Sequence, residues 1–533
     1  MITIRRREAS HHSPVITARI AGAALVVLAL APATSFGARP QAGADVLELT
    51  LEGMVELAMS NSYQIRRVNL DIQRTRYNLD AERAGLKSRV DLNLQTPEYE
   101  AVSEARWNPD LGRNEIIRDN SRRWQAELSV RQPVILFGYP TNGELSVNSR
   151  LYRYRQVNES GDVDVRYYNR YFVAYEHRLF QPNQLKNNLE EAELDLESSE
   201  LEFQEDVVSL IDNVSGDYFE LFEDAYSERI YQEYVEHLEA GLDAAQALAE
   251  TDTARSIELD QIRIEIANAR ERLQAAQSGF RLATAEIKQE FQIPQSRTIV
   301  LDPVVEIAPV AVPVGRAIEL ARSLTPTLRQ LDINYRENEI NLDETRGRDA
   351  FRMDVELTYG REMQNPVWSD LFREPTNSYS ASVTAYVPVW DWGQRKNRIA
   401  ASQINLDQTR LQIEQVDTDI EASVNNEVRN VEEFETRALA MQDNRELAHQ
   451  ASMSAIGQYE TGLITASDLL QSLARENDTA QNFLDVYLDW RESLLRLQEL
   501  TYYDFERDLP LLERFGITMP GTTMPTVEVL GSD

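Results

Sequence analysis

The chain has 533 residues, no cysteine and a formal net charge of -34, from 88 acidic against 54 basic side chains. Without cysteine there are no disulfides, thiolate metal sites, cysteine nucleophile or lipidated N-terminal Cys. A charge of this sign repels nucleic acid, whose phosphates need clustered Lys and Arg, and the length admits either several ordinary domains or one very extended object.

The N-terminus reads as a secretory signal over residues 1–44: Arg5, Arg6 and Arg7, then the apolar run IAGAALVVLALA (Ile20 to Ala31), then small residues. Ala42-Gly43-Ala44 fits cleavage after Ala44, with a site near Gly37 as the alternative. No later run approaches the roughly 20 continuous apolar residues of a transmembrane helix.

The remainder is a tandem repeat. Leu51 to Leu94 aligns without a gap onto Val314 to Leu357. Identities include Glu56/Glu319, Leu57/Leu320, Ala58/Ala321, Arg66/Arg329, Asn78/Asn341, Asp80/Asp343, Arg83/Arg346 and Asp91/Asp354. The first repeat is expected over 45–293, a linker over 294–313, where Pro294, Pro303, Pro309 and Pro313 forbid a continuous helix, the second repeat over 314–508 and a tail over 509–533.

Each repeat reads helix, strands, very long helix, turn, helix. Strands are expected at about 89–97, 122–136, 145–157 and 163–180, and again at about 353–361 and 379–390. Their period is two: Trp124, Ala126, Leu128 and Val130 alternate with Arg123, Gln125, Glu127 and Ser129, while Ala381, Val383, Ala385, Val387 and Val389 alternate with Ser382, Thr384 and Tyr386. That pattern suits a barrel in lipid, apolar outside and polar inside. A soluble sheet with one packed face has the same period. Trp390 and Trp392 fit a membrane–water boundary, and Pro388 and Gly393 let the chain turn from strand into helix.

Long helices are expected at about 184–250 and 394–458, followed by helices at about 256–291 and 466–504. The first is free of proline and roughly 100 Å long at 1.5 Å per residue. Val207, Ile211, Val214, Tyr218, Leu221 and Ala225 keep heptad spacing, as do Ala480, Phe483, Tyr487, Trp490, Leu494 and Leu497, so narrow coiled-coil seams are expected.

The paired openings LEGMVELAMSNSYQI and VGRAIELARSLTPTL, the junction YVPVWDWGQRKNRIAAS and the turn QYETGLITASDLLQSLARE together resemble the TolC-type outer-membrane efflux family, over about Leu47 to Asp504. The resemblance implies a mainly α protein with membrane β: a homotrimer whose barrel sits in the bacterial outer membrane and continues into a long periplasmic α-helical barrel. It implies a passive exit duct for tripartite efflux or type I secretion, with a periplasmic adaptor, an inner-membrane pump and outer-membrane lipid as partners. It also places an aperture at the helical turns, with Asp468, Gln471, Glu258, Gln261 and Arg255 around it and Gly462 and Asp252 in the turns. Gln471 stands where many members carry a second aspartate, Ile464 where some carry a basic residue, and Asp252 where a glycine is expected. Residues 139–162 are an insertion relative to the four-strand pattern, either an added hairpin pair or an excursion at a barrel end.

No enzyme, cofactor or metal is expected. His177, His237 and His449 are dispersed without an HExxH spacing or a local acid partner, and there is neither a P-loop nor a GxSxG elbow. The rival reading is a secreted coiled-coil scaffold or adhesin-like protein with no pore.

Overall fold

The computed structural model of the protein describes residues 46–108, 112–157, 162–251 and 256–517. The signal segment and residues 518–533 of the tail lie outside them. Within the described residues the two repeats open alike. A short strand β1 (Val46–Glu48) leads to α1 (Leu51–Asn61) and α2 (Tyr63–Gly85), matched by α5 (Val314–Leu324) and α6 (Pro326–Gly347). The equivalent residues Ser62 and Thr325 are extended and split each pair of helices; the Ser62 hydroxyl also accepts from the Gln64 amide at 3.1 Å.

Six strands follow from the two repeats and form one antiparallel sheet: β2 (Arg89–Asn108), β3 (Arg113–Leu136), β4 (Tyr139–Val157), β5 (Val163–Leu179), β7 (Arg352–Asn365) and β8 (Thr376–Tyr386), adjacent in that order. The segment 139–162 therefore supplies a strand inside the sheet, β4, between β3 and β5. Its turn at Phe137 (φ 52°) and Gly138 (φ 87°) is a two-residue connection with both central residues left-handed, whose twist matches the flanking strands.

The strands differ in length from the expected ones. β2 and β3 run on to Asn108 and back from Arg113, because Pro97 falls where the register shifts between Gln95 and Glu98, a bulge that removes the need for its amide. Pro133 sits at a second shift, before Ile135. β8 ends at Tyr386, short of the expected 390, and Pro388 follows it.

Two long helices leave the sheet, α3 (Gln184–Thr251, 68 residues) and α7 (Gln394–Glu460, 67 residues), and return as α4 (Ser256–Glu290) and α8 (Ala466–Thr501). The offset between repeats is 263 before the sheet (Leu51 to Val314) and 210 after it (Gln184 to Gln394). The first repeat thus spends 53 more residues in the sheet, the cost of its extra hairpin. The heptad residues form the seam: Val207, Ile211, Val214, Leu221, Val424, Val428, Phe483, Trp490 and Leu497 are at most 2% exposed and belong to one buried cluster, Phe483 apart.

Around the middle of these helices lie elements that the linker and tail supply. β6 (Thr298–Val300) pairs in parallel with β1. After α8, Tyr502 turns left-handed (φ 55°), β9 (Tyr503–Asp504) pairs with β10 (Leu509–Pro510), and α9 (Leu511–Arg514) closes the segment. Asp504 is fully buried and is held by Arg514 at 3.0 Å, with the amides of Glu506 and Arg507 donating to its other oxygen. The ion pair and the two amides hold the segment against α1, where Arg507 and Arg514 also reach Glu52.

The helices are acidic enough to strain their own carboxylates. Burial, with Glu290 and Glu220 nearby, pushes Asp217 up from 3.8 to about 6. The folded state holds this proton more tightly than the unfolded chain, so the group's contribution to stability is full below about pH 4 and is lost as pH rises through about 6. Asp217→Asn should therefore raise the melting temperature at pH 7 to 8 and leave it nearly unchanged at pH 4, as thermal melts across that range would read.

Candidate functional site

The register of the sheet assigns the described side chains to its two faces. Val90, Val130, Val147, Val173, Tyr359 and Tyr379 form one cross-strand row, and Leu92, Leu128, Ser149, Tyr171, Arg361 and Asn377 form the next row on the same face; the two rows are apolar except at Ser149 and toward the β7–β8 edge of the second. Val90, Leu92, Leu94, Leu128, Val147, Tyr359 and Val383 on it are exposed. The opposite face carries Asp91, Glu127, Ser129, Asn148, Arg150, Arg170, Glu362, Ser380 and Ser382. There Arg150 forks onto both oxygens of Glu127 (3.0 and 3.1 Å) and the Tyr168 hydroxyl donates to Glu362, while Ser129, Ser146, Asn148 and Thr358 are buried. A sheet in water buries its greasy face and wets its polar one. This one does the reverse.

An aromatic band marks the helix-side end of the sheet. Phe137 in the β3–β4 turn, Phe180 between β5 and α3, Phe351 before β7, and Trp390 and Trp392 between β8 and α7 are all exposed, and the rings of Phe180 and Phe351 lie 5.4 Å apart. Trp390 and Trp392 meet edge to face at 5.4 Å. Trp392 (φ 56°) and Gly393 (φ 83°) are both left-handed, and Asp391 caps α7 by accepting from the Gly393 and Arg395 amides at 2.9 Å. Pro388 and Trp390, with Arg395 and Lys396, line an open cleft of about 380 Å³ at this junction. Sequence reading singled out Pro388, Trp390, Trp392 and Gly393; it missed Asp391 and the phenylalanines, which are isolated in sequence and of which Phe180 and Phe351 meet only through the register.

At the far ends of the long helices, the α7–α8 turn places Gly462 at φ 74°. Asp468, three residues beyond Thr465, completes a reciprocal cap. Its amide donates to the Thr465 hydroxyl oxygen (3.2 Å), while its carboxylate accepts from the Thr465 amide (3.1 Å) and hydroxyl (2.8 Å). The Thr465 hydroxyl and amide hold this carboxyl below its ordinary range, and Asp468 is exposed beside them. Gln471 and Gln261 are exposed as well. Glu258, in the first turn of α4, accepts from the hydroxyl of the fully buried Tyr459 at 3.0 Å, tying the first repeat's turn to the end of α7. Asp252 and Arg255 lie outside the described residues. Beneath the turns, Leu238, Ile262, Tyr459, Leu469 and Leu473 pack as a second core, where α3 passes so close to α8 that a Cβ on Gly241 would come within 2.9 Å of Leu469 Cδ2.

His237 and His449, dispersed in sequence, share an acid partner after all. Both Nδ1 atoms lie on the carboxylate of Glu476, at 3.0 and 2.7 Å, because α3, α7 and α8 run side by side there. His177 lies apart from them, on β5. No described helix is long and apolar enough to cross a membrane.

Residues 317–501 match the family described as outer membrane efflux protein. In fold, the chain is similar to the channel protein CusC (TM-score 0.61, 13% identity, 87% of this chain and 95% of that one). It is similar too to the CmeC outer membrane channel of Campylobacter jejuni (0.61, 12%, 88% and 90%) and to the open state of the MtrE outer membrane channel of Neisseria gonorrhoeae (0.57, 15%, 86% and 90%). A search of curated sequences gives no match.

The cap at Thr465 should be measurable. Thr465→Ala removes a side-chain acceptor worth about 1 kcal/mol, so amide exchange in the first turn of α8 should quicken about fivefold, whereas Thr465→Ser should exchange nearly as the parent does.

Proposed function

We propose that this chain, a member of the outer membrane efflux protein family, is an exit duct: three copies close a barrel in the outer membrane and continue it through the periplasm as a helical tunnel. The inverted sheet carries the reading. Its exposed apolar face needs lipid and its polar face needs water, which is the distribution of a barrel wall around a wet lumen. A pore-free secreted scaffold has no use for such a sheet.

One chain cannot close the barrel, since β2 and β8 are both free edges of the six-stranded sheet. Because the strands alternate in direction and their number is even, β2 of one copy meets β8 of the next antiparallel, as closure requires. Three copies contribute eighteen strands instead of the twelve of the four-strand pattern. At 4.8 Å between strands and a 40° tilt, the backbone diameter is about 36 Å, against about 24 Å for twelve.

The periplasmic adaptor and inner-membrane pump that the resemblance implies would meet the turns at the other end. There Asp468, repeated threefold, would bring carboxylates together at the aperture and attract cations. Gln471, Glu258 and Gln261 flank it, and Arg255 and Asp252 complete the group proposed from the sequence. Substrates would pass without chemistry.

Electron microscopy of the protein extracted from outer membranes with detergent should give threefold tubes with a stained axis and a barrel end near the eighteen-strand width. Soluble rods without a lumen would refute the duct. In planar bilayers, Asp468→Ala should raise basal conductance and weaken block by divalent cations; unchanged currents in both assays would take Asp468 out of the aperture.

A further inference from the structure

We propose that His237, Glu476 and His449 form a binding site for a divalent transition-metal cation of the zinc type, bridging three helices and both repeats. His237 comes from α3, His449 from α7 and Glu476 from α8. One donor atom from each lies within 4.8 Å of the others, and the two imidazole centroids are 5.8 Å apart. Around a tetrahedral zinc ion, nitrogen and oxygen ligands stand about 3.4 Å from one another. Donors within 4.8 Å of one another are at most about 1.4 Å too far apart for that spacing.

The donor set is the one zinc favours when a fourth position is left to water: two imidazoles and a carboxylate. Harder cations such as Ca²⁺ and Mg²⁺ prefer oxygen throughout. The side chains of His237 and Glu476 are 19% and 13% exposed, so they are held by their surroundings, whereas His449 is 48% exposed and leaves a route in from solvent. Burial pushes the Glu476 carboxyl up, but hydrogen bonds from His237, Ser452 and His449 outweigh it and keep the group ionised. His237 is drawn upward by its hydrogen bond to Glu476 against the effect of burial, with the negative field of Glu233 and Glu236 adding to it. The same field favours a cation at the site.

Without metal, Glu476 accepts an Nδ1–H from each histidine. Metal ligation through Nδ1 moves the proton of a neutral imidazole to Nε2, and a protonated His237 releases one proton to solvent. Glu476 stands 10 residues into α8, while His449 precedes the end of α7 by 11 and His237 the end of α3 by 14, so the site lies roughly 15–20 Å from the turns. A bound ion would fasten α3 of the first repeat to the α7–α8 pair of the second at that level. Binding is read on the purified protein and does not depend on whether the protein conducts.

The test is calorimetric titration of Zn²⁺ alone into the full chain in detergent, stripped by chelator, with Ca²⁺ in excess to saturate the acidic surface. One Zn²⁺ per chain is expected, with a rise in melting temperature. His449→Ala, at the exposed ligand, should weaken binding at least about tenfold, and Glu476→Gln should do the same while preserving volume. Slower amide exchange in α3 around His237 on addition of Zn²⁺ is expected in the parent and absent in His449→Ala. Equal titrations for the parent and His449→Ala, or no uptake by the parent, would overturn the site; so would protection confined to α7 and α8.

Discussion

A strand in hydrocarbon has no water to satisfy its amides and carbonyls, so each must find another strand. In the duct proposed here, the rest of the chain is arranged around that demand. The sheet runs through six strands from two repeats, and the hairpin inserted into the first repeat adds two strands together. One added strand would have left the two free edges pointing the same way. Two keep them opposed, and they also return the chain to the side of the sheet from which α3 must leave.

The helices answer a different constraint. Their apolar stripe is narrow, a seam of Val, Leu, Phe and Trp, and on the remaining surface acidic side chains outnumber basic ones. Stability therefore comes from long seams and from a few tightly held polar points: Asp504 on Arg514, Glu258 on Tyr459, and Glu476 between two histidines. Each of the last two ties an element of the first repeat to one of the second.

How much of this could be read in the sequence follows from the range of the interactions. Val207 to Leu221 and Trp124 to Val130 declare helix and strand because their partners recur at fixed short spacings. The halves of the repeat declare themselves by identity. The first strand was expected to end at about 97, whereas Pro97 is absorbed by a bulge and the strand runs on, visible only in the pairing of β2 with β3. The place of β4 was open for the same reason: alternation gives a strand its faces but not its neighbours. At the α7–α8 turn, Gly462 was legible from the turn pattern and Asp468 was singled out by resemblance, while the cap on Thr465 needed the backbone geometry. The histidine pair was not legible at all, since Glu476 is 239 residues from His237 and 27 from His449.

The extra hairpin also bears on how the two halves of a wall are joined. Each chain passes four helices, α2, α3, α6 and α7, to the rim of its sheet. Side by side at about 9 Å they occupy an arc of about 36 Å. Six tilted strands at 4.8 Å cover about 38 Å, whereas four would cover only about 25 Å. In the proposed duct the sheet and the helices beneath it would thus subtend nearly the same arc, and the backbone would pass from one to the other without a funnel. In that assembly the tight left-handed turn at Trp392 and Gly393 would only have to change the direction of the chain, not its distance from the axis.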